Sequence, residues 1–478
     1  MSALIHIAKK ELKIAFRERL IVFLGIIILV LLGLSLYAGF ISYKQQKGII
    51  AKTQEEKREE WLSQGDKHPH IAAHYGTFVF KPKTVLGLFD FGLDAFTGTS
   101  VYLEAHYQHE FMFRPAQDHS SMIRFGELSS ALVLQVLLPL LIIFLAFSSY
   151  TRERESGTLK LLMSQGVSAH AITWGKILAY CAIILIMLLP FFIAVLLIAN
   201  SASNNDAIPD VGLRSILLIA VYATYLFLVV AIAVWVSMKS LTGRNSLLTL
   251  LTCWTFFVIL MPKTVANLSE SFYPLPSMRE FKAGIEESKL NGLDGNTPPS
   301  VRLAELKKET LEEYDVETLE ELPFNFEGVS MQAGEDYGNL VYDHHFEQLK
   351  TIFDKQNNLG SIASIINPFI AIQHLSMTLS GTDSYTFNHF EEEVEAYRRM
   401  LVRRMNNDMA ENSAYGEFYE YAAGGSLWED IEDFSYQTPP VHLVLKAYYL
   451  EVIGLLLWAL LIILLLNSSN KKLRPVHG

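Results

Sequence analysis

Six apolar runs decide what this chain can fold into. Residues 20–41, 128–148, 172–199, 213–237, 246–262 and 443–466 are each near the ~20 residues a bilayer core requires. A backbone in lipid must satisfy its own hydrogen bonds, so such runs cross as helices. The first has 16 Leu, Ile, Val or Phe residues among 22 and no charge. It is too long for a signal-peptide core, and no Ala-x-Ala site follows, so it reads as a retained anchor. Pro139 and Pro190 fall inside the second and third runs and predict kinks. The expected fold is an all-α polytopic membrane protein: six transmembrane helices with a mainly helical extracytoplasmic domain.

Charge in the short loops sets the expected orientation. Residues 1–19 carry five Lys/Arg against two acids, and 149–171 carry three against two. The link 238–245 and the tail 467–478 have Lys and Arg and no acid, whereas 200–212 has Asp206 and Asp210 and no base. These segments alternate across six spans, which is expected to place both termini and residues 149–171 in the cytoplasm. Residues 1–19 have apolar positions at helical spacing (Leu4, Ala8, Leu12, Ala15, Phe16) and basic ones between them. They read as an amphipathic helix lying on membrane lipid.

Two long polar segments then face outward. Residues 42–127 are expected to form short helices and turns near the membrane, with a charged helix over 54–62. Residues 263–442 carry 32 Asp/Glu against 13 Lys/Arg. Helical patterns cover 278–290, 301–314, 337–357 and 387–412, with 322–334 as an irregular connector. Residues 359–380 approach spanning length, but Asn367-Pro368, Gln373 and His374 argue for a buried or membrane-skimming helix.

Between the second and third spans lies a short hairpin. Arg152, Glu153, Arg154 and Glu155 precede a Ser156-Gly157 break; Thr158, Leu159, Leu161 and Leu162 form a short amphipathic piece; Gly166 breaks the chain again. Lys176, at the start of the third span, is expected to snorkel to the interface. The pattern Glu153-x-x-x-Gly157-Thr158-Leu159, the pair Leu161-Leu162 and then Gly175-Lys176 resembles the first cytoplasmic loop of ABC type-2 permeases. Gln165-Gly166 stand where that family usually has Pro. Further along, Asn367-Pro368-Phe369, Leu375-Ser376, Ser380-Gly381-Thr382-Asp383, His389-Phe390 and Glu395-x-Tyr397-Arg398 resemble a subgroup with a large uncharacterised extracytoplasmic domain between its last two spans. The resemblance implies a permease whose partners are an ABC ATP-binding subunit and a second permease subunit, identical or related. It implies that Arg152, Glu153, Arg154, Glu155, Gly157, Thr158, Leu159, Leu161 and Leu162 form the ATPase-coupling contact. Exchanging Glu153 and Glu155 for Lys is then expected to break that contact. The resemblance implies no substrate.

Other chemistries find little support. The only Gly-Lys pair, Gly175-Lys176, is followed by Ile177 and lacks the earlier glycine of a phosphate-binding loop, so the chain is not expected to hydrolyse ATP. A net charge of -11 does not suit nucleic acid. The only cysteines, Cys181 and Cys253, lie in apolar runs and staple nothing. His68, His70 and His74 lie close together, and His106 and His109 stand a helical turn apart with Glu110 beside them. Imidazoles at such spacing can share zinc or copper. Without a Met or Cys cluster they read as solvent histidines, and no metal or cofactor is assigned. His344-His345 are helix neighbours that point apart. The Glu312–Glu321 and Glu391–Glu395 clusters read as solvated helix faces, with Glu395 pairing to Arg399. No Gly-x-Ser-x-Gly elbow occurs. The reading is a permease subunit driven by ATP hydrolysed elsewhere. The alternative is an ATPase-coupled sensor or scaffold whose outer domain binds a protein.

Overall fold

A computed structural model describes residues 2–109, 128–202 and 206–473 of the protein. Glu110, named above, lies outside the described residues, as do the stretch 110–127 and the end of the tail, 474–478. Helix α1 (Ser2–Arg17) leads into α2 (Arg19–Leu62), a single rod of 44 residues. At 1.5 Å per residue it is about 66 Å long, twice the ~30 Å hydrocarbon core. The charged stretch 54–62 therefore continues the first span instead of starting a new element. A short helix, α3 (Pro69–Tyr75), follows, capped by His68. Next come β1 (Thr77–Phe80) and β2 (Ser100–Leu103), paired antiparallel with Thr77 opposite Leu103. Only helices and turns were expected here. The β-branched and aromatic residues of Thr-Phe-Val-Phe and Ser-Val-Tyr-Leu explain the pair, since Val79, Val101 and Leu103 cover buried Phe390 and Val394.

Helix α4 (Ser130–Glu155) contains a π-helical turn at Val133–Leu137. Pro139 lies inside this helix, just after the π-helical turn, and its missing N–H leaves the Gln135 carbonyl, four residues earlier, to accept from Tyr225 O–H at 3.0 Å. A short α5 (Thr158–Ser164) precedes α6 (Ala169–Ala202), with Pro190 inside it, then α7 (Val211–Lys239) and α8 (Gly243–Phe272). The polar domain comprises α9 (Met278–Asn291), α10 (Pro299–Glu313), α11 (Phe326–Ile366), α12 (Pro368–Ser380), α13 (Ser384–Asn412), α14 (Gly425–Asp430) and α15 (Val441–Ala447). The last helix is α16 (Tyr449–Lys472). Among the described residues, six helices (α2, α4, α6, α7, α8 and α16) are long and apolar enough to cross a membrane. The fold is that of an all-α polytopic membrane protein.

Two local expectations change. The connector 322–334 is helical from Phe326 onward, because Asn325 caps α11: its Oδ1 accepts from Glu327 N–H at 2.9 Å, while its amide donates to the Ala414 carbonyl. Segment 359–380 breaks at Asn367-Pro368. Its second half is α12, 13 residues long and buried along most of its length among α7, α11 and α16. At that length it is a buried helix and not a seventh crossing.

One apolar core joins the spans to α12 through Leu375, Leu379 and Phe369. Smaller cores fuse the two polar segments. Trp428 is fully buried beside Met405 and Ala72, and it meets Trp61 of α2 edge to face at 5.5 Å. Its indole N–H donates to the Gly65 carbonyl at 2.9 Å. These contacts and the 206–210 turn lie together: Thr438 N–H donates to the Ala207 carbonyl, and Val85 N–H to Asp206. Both polar segments therefore sit at the end of the bundle remote from the 149–171 hairpin.

Candidate functional site

Two glycines shape the hairpin. Gly157 (φ 74°) and Gly166 (φ 80°) take left-handed backbone that favours glycine, and they bracket α5. The seven residues of α5 present two faces. Leu159 is buried in the bundle core, and Leu162 and Met163 pack partly against it, while Leu161 is 57% exposed. Exposed too are Arg152, Glu155, Gly157, Thr158 and Lys160.

The other face is clamped by buried charge. Lys176 is fully buried, with Nζ 2.8 Å from Glu11 Oε1 and 3.2 Å from Glu153 Oε2. Glu153 in turn accepts from Lys10 at 2.6 Å, and Tyr180 O–H donates to Glu11 at 3.2 Å. Arg152 reaches Glu18 at 2.9 Å and lies 3.9 Å from Glu11. Three acids thus meet three bases across α1, the hairpin and α6. Arg154 takes a different set of partners, donating to the carbonyls of Met238 and Ser240. Glu155 accepts from Gly243 N–H at 2.9 Å, and Tyr150 N–H donates to Ser237 at 3.0 Å. The hairpin is therefore bolted to α1, to α6 and to the α7–α8 link.

This placement divides the nine residues assigned to the coupling contact. Arg152, Glu155, Gly157, Thr158 and Leu161 face outward. Glu153 and Leu159 face inward, and Arg154 and Leu162 are half-buried. Lys176 does not snorkel to an interface; two carboxylates hold it inside. Glu11 and Lys10 were not singled out by sequence. Their signal was available: Glu11 falls on the α1 face that also carries Ile7, Ala8 and Ala15, all buried. An acid on an apolar face needs a buried base. Gly175 permits the close approach, because a Cβ there would lie 2.9 Å from the Leu4 carbonyl oxygen.

The distal motif residues act as joints. Asn367 accepts from Phe369 N–H at 2.9 Å and donates to the Phe257 carbonyl of α8 at 2.8 Å. Ser376 and Tyr222 O–H are 2.9 Å apart, and Gln135 donates to Tyr222 at 2.7 Å. Gly381 (φ 72°) ends α12, and Asp383 caps α13 by accepting from Tyr385 and Thr386 N–H. Glu395 binds both Arg398 and Arg399, and Arg399 also forks onto Asp343 at 2.6 and 2.9 Å. At the remote end of the bundle Arg214 is fully buried and donates to the carbonyls of Pro209, Thr378, Leu379 and Pro439.

The histidines sort differently from their sequence order. His68 leaves the group, accepting from His70 N–H while its Nε2 meets the Phe418 carbonyl at 2.9 Å. His109 pairs with Glu104 at 2.5 Å. His70, His74 and His106 come together instead, partly exposed, with His106 Nδ1 against the buried Glu335 carboxylate. Burial, with His74 and His106 beside it, lowers the His70 pKa to about 4. Burial works to raise the Glu335 carboxyl, but the His106 hydrogen bond and the charges of His106 and Arg398 together hold that carboxyl below its ordinary value. An open cleft of about 1090 Å³ runs between α11 and α13, bordered by Leu340, Phe346, Phe387, Glu391 and Arg399.

Comparison with known families gives two matches. Residues 278–437 match a domain of unknown function (DUF3526), and residues 94–275 match a protein of unknown function (DUF2705). The first begins with α9 and stops just before Pro439-Pro440, so it coincides with the polar domain. The second runs from the first polar segment through α8. No curated protein matches the chain.

Proposed function

We propose that the chain is the permease subunit of an ABC transporter of the type-2 class, moving a substrate with ATP hydrolysed by a separate subunit that docks on the 149–171 hairpin. The observation that carries this is the build of the hairpin. A short amphipathic helix between two left-handed glycines offers Leu161 and charged neighbours to solvent, while its other face is fastened to three helices of the bundle. A force applied at Leu161 passes through Leu159, Glu153 and Arg154 into α6, α1 and α7. Orientation follows the charge bias of the short loops, with this end and both termini in the cytoplasm. A second permease subunit completes the pathway, and the spans lie in the inner membrane of a bacterium.

Surface residues make the test clean. Leu161→Asp with Lys160→Glu changes the outward face and leaves in place the ion pairs and hydrogen bonds that fasten the hairpin. Co-purification of the ATPase subunit is expected to fall at least tenfold while the yield of inserted permease stays unchanged. Retention of the ATPase at the wild-type level would remove the hairpin from the docking site. The cleft between α11 and α13 supports a second reading, an ATPase-coupled sensor whose domain grips a protein. Stimulation of ATP turnover by a partner protein, with no solute moved in proteoliposomes, would favour it.

A further inference from the structure

Two histidines of α3 and a third from beyond β2 converge where the two polar segments meet. His70 and His74 stand at i and i+4 on α3 and so share a face. His106 reaches them because β2 returns antiparallel along β1, which starts directly beyond α3. The ring centroids are 4.6, 4.9 and 5.2 Å apart, and one nitrogen from each ring lies within 4.8 Å of the others. His70 Nε2 and His74 Nε2 are 3.1 Å apart. Two ligands on a tetrahedral zinc, at its usual bond lengths, sit about 3.3 Å apart.

Two further observations set this group apart from chance crowding. His106 holds a left-handed backbone (φ 70°), uncommon for a non-glycine residue although histidine takes it more often than most. Its Nδ1 faces the carboxylate of Glu335, which is 5% exposed. A carboxylate on one imidazole nitrogen fixes the tautomer and aims the other nitrogen, the usual support of a metal-ligating histidine. Glu335 comes from α11, in the other polar segment from all three rings.

We propose that His70, His74 and His106 bind one divalent transition-metal ion of the zinc type, with Glu335 orienting His106 and a fourth position left open. An all-imidazole donor set suits Zn²⁺, Cu²⁺ or Ni²⁺ and does not suit Mg²⁺ or Ca²⁺. The bound ion clips α3 and the β2 loop, and through Glu335 it ties them to α11.

The test uses the full chain in detergent, purified without a polyhistidine tag and stripped with a chelator. Calorimetric titration with ZnCl₂ is expected to give one ion per chain and a raised melting temperature, with MgCl₂ giving neither. Cobalt substitution is expected to produce the visible absorption of a low-coordinate site. Glu335→Gln should weaken zinc about 10- to 100-fold. His70→Ala with His106→Ala should abolish the stoichiometric event. His74→Gln, whose side chain contacts the other two rings at the domain surface, gives an independent reading should the double variant fail to fold. Zinc binding of unchanged affinity in His74→Gln and Glu335→Gln would overturn the site. So would the absence of any stoichiometric binding to the wild-type chain, which would leave only a hydrogen-bonded imidazole cluster.

Discussion

The two ends of the membrane bundle bury a cation in opposite ways. At the hairpin end Lys176 is enclosed by the carboxylates of Glu11 and Glu153, which themselves gather Lys10 and Arg152. At the remote end Arg214 finds no carboxylate within hydrogen-bonding distance among the described residues. Four backbone carbonyls, from the 209 turn, the C-terminus of α12 and the approach to α15, take its fork. Lysine is a compact charge on a flexible stem and suits a network whose members can exchange partners. Arginine is planar and suits a cage of fixed shape. The carbonyls at the end of α12 also carry the negative pole of that helix. The contrast teaches that the hairpin end is a joint held by mobile side chains, whereas the domain end is a joint held by backbone. Only the first can loosen without unfolding a helix terminus.

The harshest way to break this contrast is Lys176→Met. It leaves two buried carboxylates facing each other, and an uncompensated buried charge costs about 3–5 kcal/mol. The expected result is a large fall in melting temperature in detergent and protease access to α1. Adding Glu11→Gln and Glu153→Gln should recover most of the loss, because the two buried carboxylates no longer face each other. A Lys176→Met chain that melts like wild type would show that the network contributes nothing. Arg214→Lys is gentler. The charge survives, but one ammonium cannot serve four carbonyls spread over three segments. A loss of about 2 kcal/mol is expected. Equal stability of the lysine variant would mean that charge alone, and not the fork, holds the domain end.

What sequence could and could not reveal follows the range of each interaction. The spans were legible because the length of an apolar run is a local property. Asn367-Pro368 argued locally against a span, but 359–380 was read as one helix, whereas the pair divides α11 from α12. Burial of Lys176 was not legible, because its partner Glu11 is 165 residues away. The i,i+4 pair His70 and His74 was visible on paper. The third ring was not, since sequence spacing joins His106 to His109, whereas strand pairing carries His106 back to α3. The β1–β2 pair itself depends on Phe390 and Val394 of a helix some 300 residues on, which no short window contains.

The smallest effect concerns a carboxylate with no ion pair of its own among the described residues. Glu391 lines the α11–α13 cleft, and its neighbour Glu392 takes the nearby Lys350 at 2.6 Å. Burial, then the charges of Glu392 and Glu395, raises its pKa from 4.5 to about 7. Set beside Glu153, which Lys10 and Lys176 both contact, it measures what a largely buried acid loses without such partners. A carboxyl with a folded pKa above its unfolded one keeps full stability below the unfolded value and loses it as pH rises through the folded value. Glu391→Gln removes that loss. The variant is expected to be more stable than wild type at pH 8, by about 1 kcal/mol once partial exposure is allowed for. The gain should shrink at pH 5 and vanish at pH 4, where the acid is neutral in the folded chain and largely so in the unfolded one. Melting curves at the three pH values decide it: a gain independent of pH would place the effect in packing, and no gain at pH 8 would mean that solvent in the cleft already screens the charge.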